Sequence, residues 1–478
     1  MRSFTDNKVN VMDVRVKFLG GAKSVTGSKY LLEIDDKKIL VDCGMFQGKK
    51  ELRLRNWNEL PIDPSLIDMV VITHAHIDHT GYLPRLVKDG YGGKIICTHA
   101  TEDLMKILLL DAGKLQEEEA QFAYKKGYSQ HSKPQPLFGV EDARKVLEMV
   151  ESYPLEQEVD LAEGISTKFY NAGHILGAAI VEINLQGNEQ KKKIVFSGDL
   201  GRNNDPLMYA PSVIKNADIL FIESTYGDRV NPIEEIERDL AEAINYTYDK
   251  RGSVIIPAFA VGRTQNLLLY LNKLITSNRI PDLPVFMDSP MAISVTNLYE
   301  KHSSTHKLNV QNKKGTLLSI FDSANIHFCN SADSSRELND RREPGIIISA
   351  SGMCTGGRIL HHLYHRLPNK NDTLLFVGYQ AEGTRGRDIL DGSESVRIFG
   401  IEVPVKCSVM EVRGLSAHAD QEELMQWISN FESSPKMTFI IHGEVHAAEA
   451  LQDKIKSTYN WNCIVPEYLE SFELFTSI

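Results

Sequence analysis

Residues 68–79, DMVVITHAHIDH, join an apolar run directly to a dense group of polar side chains. The apolar run Asp68–Thr73 predicts a buried strand, and three histidines and one aspartate follow it within six residues. Imidazole and carboxylate groups are typical ligands of zinc and similar metals. In so tight a loop His74 and His76 can point to one side, while Asp78 and His79 can reach a second position. One ion seldom takes four side chains from so short a loop, so the spacing indicates a site for two ions.

The composition is that of an ordinary globular protein. Of 478 residues, 42% are hydrophobic and 24% are charged, and the length predicts two or three domains. Lys plus Arg number 53 and Asp plus Glu number 64, so the net charge is −11. Such a surface does not attract nucleic acid as a whole. A polyanionic substrate would therefore need a local basic groove or bound cations.

Cysteine usage and hydropathy predict a cytoplasmic protein. The six cysteines include no C-x-x-C pair, which is typical of reduced thiols rather than of a disulfide framework. The first residues lack the apolar stretch of a signal peptide, and no apolar run is long enough to span a bilayer. Residues 1–12 are mostly polar, and we expect a loose N-terminal tail there.

Several more polar residues follow strand-like segments. Apolar runs alternate with helical patterns between about 228 and 386, which predicts a doubly wound parallel sheet. In such sheets the functional loops lie at the carboxyl ends of the strands. Asp42, His174, Asp199 and His418 each follow a strand-like run or a glycine turn. Taken singly, each of them is more often a structural residue than a ligand.

The order of these residues resembles that of a known family. Asp42, HAHIDH (74–79), His174 and Asp199 resemble the motifs of the metallo-β-lactamase superfamily. The motifs ESTYGDR (223–229), PAFAVGRTQ (257–265), SGM (351–353), GYQAEGTRGR (378–387) and SAHAD (416–420) are similar to those of β-CASP nucleases. Together they resemble the RNA-processing group that includes the nuclease subunit of the cleavage and polyadenylation specificity factor and its stand-alone prokaryotic relatives.

The resemblance covers nearly the whole chain and implies its architecture. We expect an α/β fold, in which a metallo-β-lactamase αββα sandwich carries an inserted doubly wound α/β β-CASP domain. The sandwich would comprise residues 13–227 and 387–478, and the β-CASP domain residues 228–386. The site would lie in the cleft between the two domains.

The resemblance also implies a set of metal ligands. One ion would be held by His74, His76 and His174. The other would be held by Asp78, His79 and His418. Asp199 would bridge the two ions, and Asp42 would orient a ligand histidine or a metal-bound water from behind. Two zinc ions are expected, with manganese as the alternative.

The remaining candidates concern substrate and proton transfer. Asp78 can accept the proton of an attacking water. The proton for the leaving oxygen would come from Asp388 or from His442, with Glu223 orienting whichever group acts. His442 can instead support the metal ligands. Arg263 either binds a phosphate of the substrate or forms a salt bridge at the surface. The loop with Ser351, Gly352 and Gly356 offers amides to an anion ahead of a helix.

The leading hypothesis is a zinc-dependent hydrolase that cuts single-stranded RNA with a water activated by two metals. A small-molecule hydrolase of thioesters or lactones is one alternative, and the inserted segment with its glycine-rich loop argues against it. A non-catalytic RNA-processing scaffold is the other, and the full set of ligand-type residues argues against it. No membrane partner is expected, and the sequence leaves open whether the chain forms a homodimer.

Overall fold

The structure is a computed structural model that describes residues 12–126, 134–187, 190–231, 235–307 and 325–478. Strands of these ranges build three larger sheets and one hairpin. In chain order the strands are β1 (Val14–Gly20), β2 (Lys29–Ile34), β3 (Lys37–Val41), β4 (Met69–Val71), β5 (Lys94–Thr98), β6 (Val150–Tyr153), β7 (Glu158–Ala162), β8 (Ile165–Asn171), β9 (Ala179–Gln186), β10 (Lys191–Phe196), β11 (Ile219–Glu223), β12 (Val254–Pro257), β13 (Val285–Met287), β14 (Ile326–Phe328), β15 (Ile346–Ser349), β16 (Thr373–Phe376), β17 (Ser395–Ile398), β18 (Ile401–Pro404), β19 (Ser408–Glu411), β20 (Met437–Ile441), β21 (Cys463–Ile464) and β22 (Ser471–Phe475).

Helices connect most of the parallel strands. They are α1 (Lys50–Arg55), α2 (Ile77–Thr80), α3 (Leu83–Lys88), α4 (His99–Lys126), α5 (Val140–Glu148), α6 (Ile236–Asp249), α7 (Arg263–Thr276), α8 (Pro290–Lys301), α9 (Ala332–Asp340), α10 (Ile359–Arg366), α11 (Arg385–Leu390), α12 (Gln421–Ile428) and α13 (Val445–Tyr459). Two short 3₁₀ turns lie at Pro64–Leu66 and Ser303–Thr305. None of the helices in the described ranges has the length and apolar character needed to cross a membrane.

Two seven-stranded sheets form the sandwich. Their strand orders are β22-β1-β2-β3-β4-β5-β6 and β21-β20-β11-β10-β9-β8-β7. A buried aromatic cluster fills the space between them: the ring of Phe221 stacks 4.1 Å from Phe196 and 4.9 Å from Phe439, and Phe18 of the other sheet lies 5.2 Å from Phe439. Helices cover the outer faces through a separate apolar core. The predicted αββα sandwich is confirmed.

A third sheet is inserted into the sandwich sequence. Its strand order is β14-β13-β15-β12-β16-β19, and all its pairings are parallel, as the alternation of strands and helices predicted. The edge strand β19 lies beyond residue 386, the expected end of the inserted domain. The hairpin of β17 and β18 also packs on this sheet's helices, through Val396 and Ile398. The domain limits stay a prediction, and the inserted sheet draws on residues after the expected one.

The first described residue pairs with the last residue of the chain beside the first sheet. Met12 exchanges backbone hydrogen bonds with Ile478, at 3.0 and 3.2 Å, and is buried. The predicted loose tail, 1–12, lies outside the described residues except for this last position, which is paired instead.

Candidate metal centre

Five strands of the sandwich end at one place, where their polar residues meet. In the first sheet β3 leads to Asp42 and β4 leads to the HAHIDH loop. In the second sheet β10 leads to Asp199, β11 ends at Glu223 and β20 leads to His442. Within each sheet these strands are parallel neighbours, so their carboxyl ends share one edge. The edge therefore gathers side chains that lie hundreds of residues apart in the sequence.

One group of metal-ligating atoms comprises His74, His76, His174 and Asp199, whose ligand atoms all lie within 4.8 Å of one another. His76 Nδ1 lies 3.1 Å from His74 Nε2 and 3.2 Å from His174 Nε2. Asp199 Oδ2 lies 3.4 Å from His74 Nε2 and 3.6 Å from His174 Nε2. The resemblance implied the three histidines as ligands of one ion and Asp199 as a bridge, and the structure brings these four residues together.

A second group comprises Asp78, His79 and His442. His442 Nε2 lies 3.2 Å from His79 Nε2 and 3.4 Å from Asp78 Oδ2. Asp199 connects the two groups, because its Oδ1 lies 3.4 Å from His79 Nε2 and 3.3 Å from His442 Nδ1. The sequence expected His418 beside Asp78 and His79. That expectation was wrong, since β20 pairs with β11 and delivers His442 to this position.

His418 lies at the side of these two groups and forms a third one with Glu223 and Asp199, whose ligand atoms also lie within 4.8 Å of one another. Its Nδ1 is 3.3 Å from Glu223 Oε1 and 3.9 Å from Asp199 Oδ2. Glu223 is fully buried and accepts a hydrogen bond from the Leu200 amide at 2.7 Å, which fixes its carboxylate. Burial lowers the pKa of His418, but the charges of Glu223, Asp199 and Asp78 outweigh burial and raise it above its ordinary value. His418 is thus suited to carry a proton.

The histidines are oriented from behind by hydrogen bonds. His79 Nδ1 donates to Asp42 Oδ2 at 2.7 Å, as the sequence predicted for a residue that orients a ligand. Thr73 donates its amide and hydroxyl to the same carboxylate, at 2.8 to 3.0 Å. His174 Nδ1 donates to the carbonyl of Ala417 at 3.2 Å. The Nε2 atoms of both histidines are therefore left for the centre.

Burial and charge set the protonation of the cluster. Burial lowers the pKa of His74 to about 3 and that of His76 to about 4, so both imidazoles are neutral near pH 7. Burial also lowers the pKa of His79, but the charges of Asp199 and Asp42 outweigh it and raise that pKa well above its ordinary value. In the protein without a cation, a protonated His79 offsets part of the acidic charge.

The donor set fits divalent cations. His76 Nε2 and Asp199 Oδ1 are buried and have no hydrogen-bond partner among the described residues. Pairs of ring nitrogens only 3.1 to 3.2 Å apart point toward common positions. Imidazole and carboxylate groups gathered in this way match the ligand preferences of zinc. Manganese also binds such groups but prefers oxygen to nitrogen. The cluster therefore has the ligand set of a metal-binding centre.

Asp388 is not part of this centre. It lies in the first turn of α11 and is exposed to solvent, and none of its contacts in the described ranges joins it to the cluster. The expectation that it donates a proton was wrong. Its neighbours in the helix, Gly386 and Ile389, are buried toward the inserted sheet, so Asp388 faces away from that packing.

Arg263 begins α7 and is buried, with an exposed fraction of 5%. Its Nη1 donates to the carbonyl of Val377 at 2.6 Å, and its Nε has no partner among the described residues. Burial lowers the pKa of this guanidinium to about 10. The alternative of a surface salt bridge was therefore wrong. Arg263 supports the chain that leads into the GYQAEGTRGR motif.

The glycine-rich loop lies between β15 and α10. Ser351 Oγ lies 3.0 Å from Thr355 Oγ1 and 3.4 Å from the Thr355 amide, so it holds the loop together. Gly352 lies under the ring of Phe259, which leaves no space for a side chain. Gly356 is open, with nothing within 4 Å of the position that a Cβ would take. The loop faces the centre through Phe259, whose ring lies 6.2 Å from that of His76.

Three contributors were missed from the sequence. Thr73 holds Asp42, the Ala417 carbonyl holds His174, and the ring of Tyr226 meets that of His418 edge-on at 6.2 Å. All three are direct sequence neighbours of recognised residues or share a motif with them. The only sign of these residues in the sequence is that they lie beside predicted ligands. That position does not show which neighbouring side chain or carbonyl points toward the centre.

Family models match three parts of the chain. A metallo-beta-lactamase superfamily domain matches residues 31–222, a Beta-Casp domain matches residues 264–389, and a Zn-dependent metallo-hydrolase RNA specificity domain matches residues 402–466. The matched ranges follow the order of sandwich, inserted sheet and second part of the sandwich.

Similar proteins cover nearly the whole chain. Ribonuclease TTHA0252 of Thermus thermophilus is 38% identical over 440 residues, which are 92% of this chain and 95% of that one. An RNase J-like protein of Methanocaldococcus jannaschii is 32% identical over 457 residues, 95% of this chain and 98% of that one. The transcription termination factor FttA of the same organism is 30% identical and covers 96% of this chain and 72% of that one.

A solved structure shares the fold. The crystal structure of a protein of unknown function from Enterococcus faecalis has a TM-score of 0.53 and 14% identity, and covers 96% of this chain and 100% of that one. The fold and the centre define a metallo-hydrolase of the metallo-β-lactamase type. With the matched domains and relatives, the chain belongs to the β-CASP family of that superfamily.

Proposed function

We propose that the protein is a ribonuclease that hydrolyses phosphodiester bonds of single-stranded RNA in the crevice between the sandwich and the inserted sheet. The observation that carries the proposal is the pair of ligand groups joined by Asp199, with His418 and Glu223 beside them. The names of the relatives, a ribonuclease and an RNase J-like protein, agree with it. A cytoplasmic location and action on RNA complete the proposal.

Two zinc ions, with manganese as the alternative, would occupy the centre. His74, His76 and His174 would hold one ion, and Asp78, His79 and His442 the other, with Asp199 shared between them. Bound there, the ions would supply Lewis-acid activation of a water and would offset the negative charge that develops on the oxygens around phosphorus. The protein has a net charge of −11 and would repel a polyanion. Positive charge from the ions would reduce this repulsion at the centre.

The side chains around the centre would handle the protons. Asp78 would accept the proton of the attacking water through its carboxylate. His418 would donate a proton from Nε2 to the leaving oxygen, because its Nδ1 is engaged with Glu223. Glu223 would keep this imidazole oriented and favour its protonated form. We thus propose His418 as the proton donor in place of Asp388 or His442.

The inserted sheet would provide the wall on which RNA lies. Gly356 lies open on the glycine-rich loop, where Ser351 and Gly352 fix the backbone, so its surroundings can accept a phosphate. Arg263 would act through Val377, by holding the strand end from which the neighbouring loop departs. Phe259 and Tyr379 pack between the two lobes and would narrow the crevice to a single strand.

The test uses RNA and DNA of the same sequence. Purified protein is incubated with 5′- and 3′-labelled single strands, and products are separated on a denaturing gel. We expect cleavage of the RNA that is lost with a chelator and in Asp78→Ala. Asp388→Ala, an exposed acidic residue outside the centre, is the matched control and should keep the activity. Cleavage confined to DNA, activity that survives the chelator, or hydrolysis of thioesters with RNA left intact would each contradict the proposal.

A further inference from the structure

The segment Lys49–Trp57, here called the basic segment, concentrates positive charge in an acidic protein. Lys49, Lys50, Arg53 and Arg55 fall within seven positions, whereas the whole chain carries a net charge of −11. Lys50 and Arg53 are exposed and form no ion pair with any acidic residue of the described ranges. Two cations are therefore available to an external anion.

Trp57 ends the basic segment with an exposed indole. Its exposed fraction is 52%, whereas the chain's other two tryptophans, Trp427 and Trp461, are 6% and 8% exposed. The residue before it, Asn56, is buried and exchanges hydrogen bonds of 2.8 and 2.9 Å with the backbone of Phe46. The indole is thus presented to solvent on a fixed backbone, which limits the entropy lost when a flat ligand stacks on it.

The basic segment begins where the sandwich contacts the inserted lobe. The chain leaves Asp42, passes Gly44 against the Asp78 carbonyl, and reaches Gly48, which packs on the Glu382 carbonyl of the inserted lobe. Lys49 forms an ion pair with Glu382. The six peptide units from Gly44 to Lys50 span at most about 22 Å, so Lys50 lies within about 22 Å of Gly44, which packs against the Asp78 carbonyl.

We propose that Lys50, Arg53 and Trp57 bind the single-stranded RNA that flanks the cleaved bond. The cations would contact phosphates, and the indole would stack on a base. Lysine or arginine contacts with phosphates and base stacking on aromatic rings are the two interactions by which proteins hold single strands without sequence preference. The inference rests on the proposed function, and it adds a binding surface outside the centre.

The test separates binding from chemistry with a 20-nucleotide RNA. In Lys50→Ala/Arg53→Ala we expect KM to rise about tenfold with kcat unchanged, and the slope of log KM against log salt to fall by about 1.4, that is, about 0.7 for each lost phosphate contact. In Trp57→Ala we expect KM to rise at least about fivefold, while Trp57→Phe keeps most of the affinity. Arg144→Ala/Lys145→Ala on α5 removes the same charge from another exposed position and should change neither value.

Three results would overturn the inference. In the first, RNA is cleaved and both KM and its salt slope stay at wild-type values in Lys50→Ala/Arg53→Ala and in Trp57→Ala. In the second, RNA is cleaved and the α5 control changes KM and the salt slope as much as these variants do. The variants can also lose self-association or a protein partner with unchanged KM for RNA, which would make the segment a protein contact. In these cases the proposed ribonuclease stands. Wild-type protein that cleaves no RNA would instead remove the proposed function and this inference with it.

Discussion

At the scale of single residues, His442 and His418 have different surroundings although both are histidines beside Asp199. His442 contacts Asp78 and His79, whereas His418 contacts Glu223. We predict that His442→Ala lowers the bound metal below the wild-type content. We predict that His418→Ala keeps the metal and lowers kcat by about 10²- to 10⁴-fold, the usual contribution of a proton donor. Elemental analysis of dialysed protein and single-turnover cleavage measure the two effects.

A conservative variant sharpens this comparison. His418→Gln keeps a polar side chain beside Glu223 but cannot carry a proton, so its metal content should equal that of the wild type while its rate falls as in His418→Ala. Loss of metal in His418→Ala with full metal in His442→Ala would restore the assignment first expected from the sequence.

Lys29 gives the stability of the protein a pH dependence. It is buried against the rings of Phe46 and Tyr82, at 4.5 and 4.7 Å, and burial lowers its pKa to about 8. Below pH 8 both the folded and the unfolded chain bind this proton. The folded state is then destabilised by the cost of burying a charged ammonium group. Between about pH 8 and 10.5 the unfolded state binds more protons, so this group makes the free energy of unfolding rise with pH.

We therefore expect Lys29→Met to be more stable than the wild type at pH 7, by about 1–3 kcal/mol. The difference should shrink as the pH rises from 8 to 10. Urea unfolding followed by circular dichroism at each pH measures it, with the exposed Lys145→Met as control. A difference that grows with pH would contradict the assignment of this titration to Lys29.

The sequence predicted the ligands within the HAHIDH motif better than the ligands that come from distant parts of the chain. His74, His76, Asp78 and His79 share one short loop, so their convergence follows from local geometry. His442 reaches them only because Phe439 of β20 packs beside Phe221 of β11, more than 200 residues earlier in the chain. No local pattern shows such a pairing. The sequence therefore predicted that a histidine would lie beside Asp78 and His79, but it indicated His418, whereas the structure places His442 there.

At the scale of elements, the strands that carry the ligands are held by their aromatic residues. Phe221 of β11 is fully buried and contacts Phe196, Phe439 and Phe18 from three other strands. We predict that Phe221→Ala lowers the free energy of unfolding by about 3–5 kcal/mol, the range for a large aromatic residue removed from a core. Leu66→Ala, at a 56% exposed position, should stay within about 0.5 kcal/mol of the wild type. Equal stability of the two variants in chemical denaturation would contradict this view of the core.

Strand edges were harder to predict than strand interiors. The parallel order of the inserted sheet followed from alternating strands and helices, but its edge strand β19 comes after the hairpin of β17 and β18. The segment Ser408–Glu411 is only partly buried and has no continuous apolar run. Its partner, Thr373–Phe376, is completely buried and was recognisable as a strand. An edge strand is thus fixed by its neighbour more than by its own sequence.

At the scale of the whole molecule, the centre joins both sheets of the sandwich. Asp78 and His79 follow strands of the first sheet, while His174, Asp199 and His442 follow strands of the second. A cation held by both sheets binds the folded state and not the unfolded chain, so it stabilises the fold by mass action. This stabilisation amounts to about 2.7 kcal/mol at a free metal concentration of 100 times Kd and about 4.1 kcal/mol at 1,000 times Kd.

We therefore predict that a chelator lowers Tm by about 3–4 °C in calorimetry and that added zinc restores it. Asp388→Ala should show the same drop, because Asp388 lies outside the centre. His442→Ala, which removes one ligand contributed by the second sheet, should start from a lower Tm and change less with the chelator. A Tm that is unchanged by the chelator in protein whose metal loss is verified by elemental analysis would mean that the two sheets hold together without the ions. The centre would then be arranged without the ions, by contacts such as those of Asp42, Thr73 and Ala417.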